Sequence, residues 1–227
     1  MQLRGPIEIG AGTEVYPYAC LGFPGQDFKF KPGMPTAGVK IGAGCLIREH
    51  VTIHAATKLE RPTTLGDRCL MMVNSHIGHD AVVGSDVIMA NGALVAGHAQ
   101  IGDRANLSGN TAVHQFNRVG RMVFISGGAV TSTDIPPYCV MVTRNALAGL
   151  NFVGMRRTGV PRDEITLARR AYREAFRTMR TRDEMLAVLD DIGQRCGPAR
   201  EQAEFIRGAK RPLARDRSVG EEVMSEE

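Results

Sequence analysis

Four of the six histidines of this 227-residue chain fall in one stretch: His76, His79, His98 and His114. Asp80 follows His79 directly and precedes His98 by 18 positions. An imidazole with an unperturbed pKa near ~6.5 takes a proton from a hydroxyl at neutral pH, which contributes on the order of 10²–10⁴ in rate. Gly97 adds a backbone N–H that no side chain covers, the kind of donor that stabilises an oxyanion. Since no serine or cysteine nucleophile stands beside a base, the pattern favours direct attack of an alcohol on a thioester.

The spacing of large apolar residues defines an internal repeat. From Ile41 to Ile125, every sixth residue is aliphatic or methionine, and Ile9, Val15 and Leu21 begin the pattern earlier. A period of six is neither the helical 3.6 nor a plain alternation, so each hexad predicts one short strand and a corner. The repeated positions are Ile41, Ile47, Ile53, Leu59, Leu65, Met71, Ile77, Val83, Met89, Val95, Ile101, Leu107, Val113, Val119 and Ile125.

Three hexads make one triangular coil of 18 residues, and the predicted fold is mainly β, a parallel β-helix. Each coil is buried only by its neighbours, so both ends need caps. Residues 18 apart lie above one another, and we expect Asp80 to stack on His98 at an edge that the other histidines share. Any single histidine is more often a plain surface residue, but chance placement of the whole group on one edge is improbable.

The composition predicts one architecture without a membrane span. The chain is 43% hydrophobic and 5% aromatic, with 26 glycines and no tryptophan. Residues 1–20 lack the charged start and apolar run of a signal peptide, and no stretch approaches ~18 apolar residues. The five cysteines form no short pairs, which argues against disulfides or a zinc ribbon. We therefore expect a cytoplasmic protein without stable membrane insertion or a second large domain.

The formal net charge of +4 is mild, and we expect no nucleic-acid partner. Arginine nevertheless crowds the last third of the chain. This pattern has two interpretations, a surface for an anionic partner or a solvated helix face. The arginines are Arg156, Arg157, Arg162, Arg169, Arg170, Arg173, Arg177, Arg180 and Arg182.

Prolines and glycines that interrupt the hexad repeat predict the domain organisation. Three prolines and four glycines in residues 22–38 predict a loop excursion, and a shorter one is expected near 55–63. Such loops on a rigid scaffold commonly carry function. The adjacent prolines after Ile135 end the repeat, so we expect a β-helix domain over 1–145 and a helical region over 146–227.

The helical region has clear start signals. Pro161 fits the first turn of a helix that runs to about Arg180. Thr181 and Glu184 form a capping box that predicts a second helix, and Pro198 begins a third that ends before Gly208. The charged tail from residue 210 is expected to be frayed.

Seven motifs, in order along nearly the whole chain, resemble the UDP-N-acetylglucosamine 3-O-acyltransferase family, whose members open lipid A synthesis. The periodicity alone predicts a β-helix, whereas the histidine motifs in one series single out this family. The motifs are GQDFKFKPGMPT (25–36), IREHVTIH (47–54), NSHIGHDAVVG (74–84), ALVAGHAQI (93–101), TAVHQF (111–116), IPPYCV (135–140) and GLNFVGMRR (149–157).

The resemblance implies a left-handed helix, a homotrimer and active sites between adjacent subunits. It also implies that His79 is the general base that deprotonates the sugar 3-hydroxyl, that Asp80 sets its environment, and that Gly97 supplies the oxyanion N–H. The donor would be a 3-hydroxyacyl chain on acyl carrier protein, an acidic partner for the basic C-terminal helices. No cofactor or metal is expected. The implied substrate-binding residues are Asp27, Lys29, His76, His98, His114, Gln115, Asn151, Arg156 and Arg157.

The resemblance also marks differences from the family. Gly127 occupies the position that sets acyl length and leaves room for a long chain, although the bulk of Phe124 nearby acts against this. Val153 stands where relatives commonly have a glutamate, and Thr158 replaces a frequent second basic residue. The chain is expected to be an N-terminally shortened member.

Three alternatives stay open. A related enzyme would acylate another nucleotide sugar, for example a 3-amino sugar. A γ-class carbonic anhydrase is also a trimeric β-helix, and His76, His79 and His98 would then be zinc ligands. A non-catalytic scaffold is the third alternative, since solenoids often serve as binding surfaces.

Overall fold

The computed structural model describes residues 1–31 and 33–219, and it shows a three-sided parallel β-helix followed by helices. The strands are short because each side of a coil is one hexad. They are β1 (Gln2–Leu3), β2 (Ile7–Ile9), β3 (Glu14–Val15), β4 (Cys20–Phe23), β5 (Val39–Ile41), β6 (Leu46–Ile47), β7 (Thr52–His54), β8 (Thr63–Leu65), β9 (Leu70–Met71), β10 (His76–Ile77), β11 (Val82–Val83), β12 (Ile88–Met89), β13 (Leu94–Val95), β14 (Gln100–Ile101), β15 (Asn106–Leu107), β16 (Ala112–Val113), β17 (Arg118–Val119), β18 (Phe124–Ile125), β19 (Val130–Thr131), β20 (Cys139–Thr143), β21 (Ala146–Leu150) and β22 (Arg215–Asp216).

Along the β-helix, from β1 to β16, each strand pairs in parallel with the strand three places later in the chain, and this produces three sheets. The first sheet contains β1, β4, β7, β10, β13, β16 and β19, the second runs from β2 to β17, and the third from β3 to β22. In the regular part, His76 pairs with Leu94 and Val82 with Gln100, a register of 18 residues. The predicted coil length is therefore confirmed.

The predicted repeat positions form the core, with one exception. Fourteen of the fifteen positions between Ile41 and Ile125 are at most 3% exposed, whereas Leu59 is 62% exposed. The prediction for Leu59 was wrong because it lies in the second excursion, where Ile53 pairs with Ile77 and the coil lengthens by six residues. The hexad spacing continues through this loop without marking a strand.

The corners of the coils repeat one backbone conformation. The last residue of each corner has a positive φ, and Asp80, His98 and Phe116 have values of 59°, 60° and 64°. This left-handed region is costly for most residues and commonest for glycine, asparagine and aspartate. Because these three corners stack, Asp80, His98 and Phe116 form one column along an edge of the prism.

The two loop excursions, 24–38 and 55–62, hold each other against this edge. The Ala37 N–H donates to the Lys58 carbonyl, the Ala56 N–H donates to the Gly38 carbonyl, and the Thr36 hydroxyl donates to the Ala56 carbonyl. Gly38 has φ +74°, and a Cβ there would overlap the Pro6 carbonyl oxygen. The loops therefore form one layer that continues the wall of the prism.

The end of the β-helix differs from the prediction. The repeat was expected to end after Ile135 and the helical region to begin at residue 146, but β20 extends the third sheet and β21, from Ala146, returns antiparallel to it. Asn145, with φ 57°, closes this hairpin. The proposed boundary at residue 145 stays a prediction, since it falls within the hairpin.

The chain continues into the helices α1 (Phe152–Arg157), α2 (Arg162–Phe176), α3 (Arg182–Gly193) and α4 (Gly197–Arg207). The capping box of Thr181 and Glu184 is confirmed, as are the starts of the helices after Pro161 and near Pro198. The first of these helices ends at Phe176, a few residues before the expected end near Arg180. The α1 helix was not predicted. In the described residues, no helix is long and apolar enough to cross a bilayer.

The helical region is fixed to the solenoid by specific contacts. The Gln202 amide donates to the Pro137 carbonyl, and the Tyr138 hydroxyl donates to Glu201 at 2.7 Å. The segment after α4 returns to the β-helix, where β22 pairs with β21. The predicted fraying was therefore wrong for the tail as far as Asp216, because its backbone completes the third sheet. Residues 220–227 and Pro32 lie outside the described residues.

Candidate active site

His79 and Asp80 form a close pair at one corner of the prism. The His79 Nδ1 lies 2.8 Å from Asp80 Oδ2, and the two side chains are 13% and 3% exposed. The carboxylate also accepts hydrogen bonds from the Thr57 hydroxyl at 2.7 Å and from the N–H groups of Thr57 and Lys58. Because Asp80 accepts from Nδ1, the Nε2 of His79 is free to accept a proton.

Gly97 lies directly beneath the His79 ring, one coil away. A Cβ on Gly97 would be 2.7 Å from His79 Nε2, so any side chain there would force the ring to move. Gly25, from the first excursion, contacts the other side of His79. A Cβ added to Gly25 would lie 2.8 Å from the Cβ of His79. The described part of the chain supplies no hydrogen-bond acceptor for the Gly97 N–H. The ring is thus held between two glycines, beside an available N–H donor.

Three further histidines surround the pair. His98 Nε2 lies 3.7 Å from Asp80 Oδ2, which confirms the expected stacking, and its ring packs edge-on against His79. On its other face His98 stacks on Phe116 at 4.5 Å. His76 shares a 2.7 Å hydrogen bond with the Thr52 hydroxyl and meets the ring of His54 edge-on.

A cavity of about 440 Å³ opens over His79. Its floor is the outer face of the first sheet, where His76, Leu94, Ala112 and Val130 form one column. Leu94 and Val130 are exposed apolar residues of this floor. The cavity therefore joins a polar head at the histidines to an apolar strip. It is lined by Gln26, His54, His76, Gly78, His79, Leu94, Ala96, Gly97, Ala112, Val113, His114, Gln115 and Val130.

Burial keeps several of these rings neutral. It lowers the pKa of His76 to about 4, helped by repulsion from His54 and His79. Burial likewise lowers the pKa of His54, and it lowers that of His98 despite the attraction of Asp80. For Asp80 burial acts upward, but the hydrogen bonds from Thr57 and His79 outweigh it and hold the pKa below its usual value. The site thus combines one carboxylate with neutral imidazoles.

A second cavity, of about 720 Å³, lies across His98 from the first and is strongly basic. Lys58 and Arg61 come from the second excursion, and Lys210 and Arg211 from the segment after α4. Its acid, Asp134, is 1% exposed and accepts a hydrogen bond from the Arg118 N–H. We call this cavity the cationic groove; it is lined by Lys58, Arg61, His98, Gln100, Phe116, Arg118, Asp134, Gly208, Lys210 and Arg211.

Three predicted site residues line a different cavity. Asn151, Arg156 and Arg157 face a volume of about 520 Å³ on the third sheet, beside Phe124 and Val153. The Asn151 amide accepts from the Gly154 N–H as the cap of α1 and donates to the Met122 carbonyl. Both arginines are exposed. Within one subunit, the structure does not bring these residues to the His79 cavity.

The other predicted residues take intermediate positions. His114 and Gln115 line the His79 cavity, with His76 deeper inside. Asp27 and Lys29 lie in the first excursion just beyond Gln26, where the Lys29 N–H donates to the Asp27 carboxylate. Gly127 lies at a corner between the third and first sheets, where an added Cβ would be 3.5 Å from the Gly109 carbonyl oxygen. It does not line the His79 cavity.

The arrangement does not favour the zinc hypothesis. The described residues bring His79, Asp80 and His98 within ligand distance of one another, but His76 is absent from this group. Asp80 already accepts from Thr57, Lys58 and His79, so its lone pairs are in use. His76 Nδ1 is likewise occupied by Thr52. A zinc ion would have to displace most of the hydrogen bonds that form the site.

Roles for His54, Thr57 and Gln26 were not predicted from the sequence. His54 stands 25 residues before His79, off the 18-residue period, because the second excursion intervenes. Thr57 and Gln26 reach the site from the loops, where no periodicity applies. The resemblance motifs contained His54 and Gln26 but gave them no role.

Comparisons with known proteins identify the family. A family model described as UDP N-acetylglucosamine O-acyltransferase, domain 2, matches residues 134–214. An acyl-[acyl-carrier-protein]–UDP-N-acetylglucosamine O-acyltransferase from Anaeromyxobacter sp. is 38% identical over 94% of this chain and 83% of its own length. The chain belongs to the UDP-N-acetylglucosamine O-acyltransferase family. The interpretation as an acyltransferase is therefore confirmed, and neither the carbonic anhydrase nor the scaffold alternative is favoured.

Two other O-acyltransferases of this family define the extent of the similarity. One from Synechocystis sp. is 36% identical over 78% of this chain, which spans 63% of that relative. The crystal structure of a UDP-N-acetylglucosamine O-acyltransferase from Moraxella catarrhalis superimposes with a TM-score of 0.87 at 36% identity, over 92% of this chain and 81% of the other. The expected fold class, a left-handed parallel β-helix with C-terminal helices, is confirmed.

The pKa of His76 predicts loss of stability in acid. An unfolded histidine titrates near ~6.5, whereas folded His76 titrates at about 4. Between these values only the unfolded state binds the proton, so stability is fully present above ~6.5 and falls as the pH falls. Denaturant titrations from pH 7 to 4 measure the free energy of unfolding at each pH. In a His76→Gln variant this free energy should fall less over that range than in the wild type, by up to about 3 kcal/mol. The exposed His50→Gln serves as the control. A His76→Gln profile parallel to that of the wild type would contradict the assignment.

Proposed function

We propose that this protein transfers a 3-hydroxyacyl chain from acyl carrier protein to the 3-hydroxyl of UDP-N-acetylglucosamine. The observation that carries the proposal is the His79 ring, held on Asp80 through Nδ1 and packed over Gly97 at Nε2. This places one proton acceptor and one free N–H donor at the same point of a cavity that has an apolar strip. The donor and acceptor are those in the names of its relatives.

The reaction follows from this geometry. His79 Nε2 takes the proton of the sugar hydroxyl as its oxygen attacks the thioester carbonyl, so that a C–O bond forms. The Gly97 N–H stabilises the resulting oxyanion. The C–S bond then breaks, and the proton moves from His79 to the leaving thiolate. Asp80 stabilises the charged ring between these steps, since it already accepts from Nδ1.

We assign the substrate contacts by position. Inside the His79 cavity, His76, His114 and Gln115 contact the sugar and the acyl chain. His98 acts from the side of the cationic groove, and Asp27 and Lys29 act from the first excursion. Asn151, Arg156 and Arg157 hold the nucleotide diphosphate, because guanidinium groups pair two phosphate oxygens. The Asn151 amide is engaged as a helix cap, so its share is smaller than that of the arginines. Gly127 sets the acyl length.

These assignments require more than one subunit. Arg156 and Arg157 face the third sheet, whereas His79 faces the first. A homotrimer with the third sheet of one subunit beside the first sheet of the next would unite them. The exposed apolar strip of Leu94 and Val130 gives such a neighbour a surface to cover.

The donor protein docks, in our proposal, at the cationic groove. Acyl carrier protein is acidic, and Lys58, Arg61, Lys210 and Arg211 gather at the groove beside His98. This location is more focused than the basic helices expected from the sequence, because His98, which lines the groove, also packs against the His79 ring. The acyl carrier protein and the five free cysteines are consistent with a cytoplasmic location.

Replacement of His79 tests the function. The wild type, incubated with a panel of 3-hydroxyacyl carrier proteins and UDP-sugars, should give acylated UDP-N-acetylglucosamine by mass spectrometry. His79→Ala should lower turnover by about 10³-fold or more, because no other group replaces the base. His50→Ala is the control for loss of a histidine, and both variants should sediment as trimers. A trimeric His79→Ala with normal turnover would exclude this mechanism.

Charge reversal tests the docking site. Lys58→Glu with Lys210→Glu should raise the KM for acyl carrier protein about tenfold at low salt and less at high salt. The small donor acyl-pantetheine should be unaffected. Arg162→Glu with Arg173→Glu, on the exposed face of α2, is the matched control. If the helix variant raises the KM and the groove variant does not, the donor docks on the helices instead.

A further inference from the structure

Asp80 is held by Thr57, inside the second excursion, and by Thr63, the first residue of β8 directly after it. On one side Thr57 donates its hydroxyl and its N–H to the carboxylate. On the other side the Thr63 hydroxyl, which is fully buried, accepts the Asp80 N–H at 2.7 Å. The conformation of this aspartate is therefore fixed by a loop that lies outside the hexad repeat.

The Thr57 hydroxyl and the His79 ring share one oxygen atom. Asp80 Oδ2 accepts from Thr57 Oγ1 at 2.7 Å and pairs with His79 Nδ1 at 2.8 Å. A carboxylate held by several donors cannot rotate freely, so the direction of Oδ2 and the orientation of the ring are set together. Thr57 thus acts on the ring through the carboxylate, without contact with the cavity.

Thr57 also joins the two excursions behind the catalytic ring. A Cβ on Gly25 would lie 2.9 Å from Thr57 Cγ2 and 2.8 Å from the Cβ of His79. The methyl group of Thr57 therefore supports the first loop, while its hydroxyl supports Asp80. The next residue, Lys58, lines the cationic groove, so one turn of chain reaches from the groove to the base.

We propose that Thr57 is a positioning residue for acyl transfer, whose hydroxyl orients the Asp80 carboxylate and limits the negative charge that it presents to His79. This role rests on the proposed function. Two short hydrogen bonds on Oδ2 divide its charge between two donors. Without the hydroxyl, Asp80 would attract the protonated ring more strongly and would hold it in a less defined orientation.

The other titratable and charged groups around His79 are the same in the wild type and in a Thr57 variant. His98 lies 3.7 Å from the shared oxygen, His54 and His76 line the same cavity, and Lys58 and Arg61 act on His98 from the groove. A change at Thr57 alters none of these residues. A displaced pH profile would therefore report the link between Thr57, Asp80 and His79.

Two variants separate the hydroxyl from the methyl group. Thr57→Val keeps the shape and removes the hydroxyl, and Thr57→Ser keeps the hydroxyl and removes the methyl. We expect Thr57→Val to lower kcat about tenfold or more, to leave the KM for UDP-N-acetylglucosamine within about twofold, and to raise the acidic limb of the kcat/KM profile by about half a pH unit. Thr57→Ser should restore both kcat and the limb. Thr166→Val, in α2, controls for the same chemical change elsewhere.

A spectroscopic measurement keeps the proposal independent of turnover. Ring ¹⁵N spectra of the free protein should show His79 protonated at Nδ1 in the wild type and altered in Thr57→Val. Unchanged ring signals, or a Thr57→Val enzyme with wild-type kcat and pH profile, would overturn the role of Thr57. If Thr57→Ser did not restore kcat and the pH profile, the role of the hydroxyl would be overturned, and the packing of the Thr57 methyl group would explain the effect instead. A wild type without acyl transfer would refute the proposed function, and the ring spectra would still decide the link to Asp80.

Discussion

The 18-residue register of the β-helix is the constraint on which the site depends. Because each coil repeats the path of the one before, residue 79 lies above residue 97 and residue 80 above residue 98. The glycine at 97 is what allows the imidazole of residue 79 to lie so close to the next coil. The register is set by buried aliphatic residues such as Ile77 and Val95, which are fully buried. Stability of the core and alignment of the chemistry thus have the same origin.

The electrostatics of the site combine one buried carboxylate with neighbouring histidines whose pKa values are lowered by burial. Asp80 is 3% exposed, and a charge at such a depth is tolerated because several donors surround it. Its neighbours His54, His76 and His98 have lowered pKa values, which leaves the cavity without competing positive charge. The positive charge is concentrated instead across His98, in the cationic groove. The proposed docking surface for the donor protein and the proposed catalytic base therefore lie on different sides of one corner.

Much of the fold could be predicted because it is periodic. The buried repeat, the stacking of Asp80 on His98 and the capping box at Thr181 follow from local spacing. Leu59 shows the limit, since an inserted loop of one hexad preserves the spacing and removes the strand. The hairpin after Cys139 forms where the hexad repeat has ended, and the strand at Arg215 depends on pairing with a distant segment. Thr57 was beyond prediction for the same reason, because its partner lies 23 residues away in a different element.

The central claim is that the His79 ring works as a base because it lies against Gly97. Gly97→Ala tests it most directly, since the added methyl would be 2.7 Å from Nε2. Gly109→Ala is the matched control, because the corresponding Cβ has its nearest neighbour, the Asn91 carbonyl oxygen, at 3.5 Å. We predict that acyl transfer measured by product mass spectrometry falls about 100-fold or more in Gly97→Ala and stays near the wild-type rate in Gly109→Ala. A folded, trimeric Gly97→Ala enzyme with undiminished transfer would contradict the account.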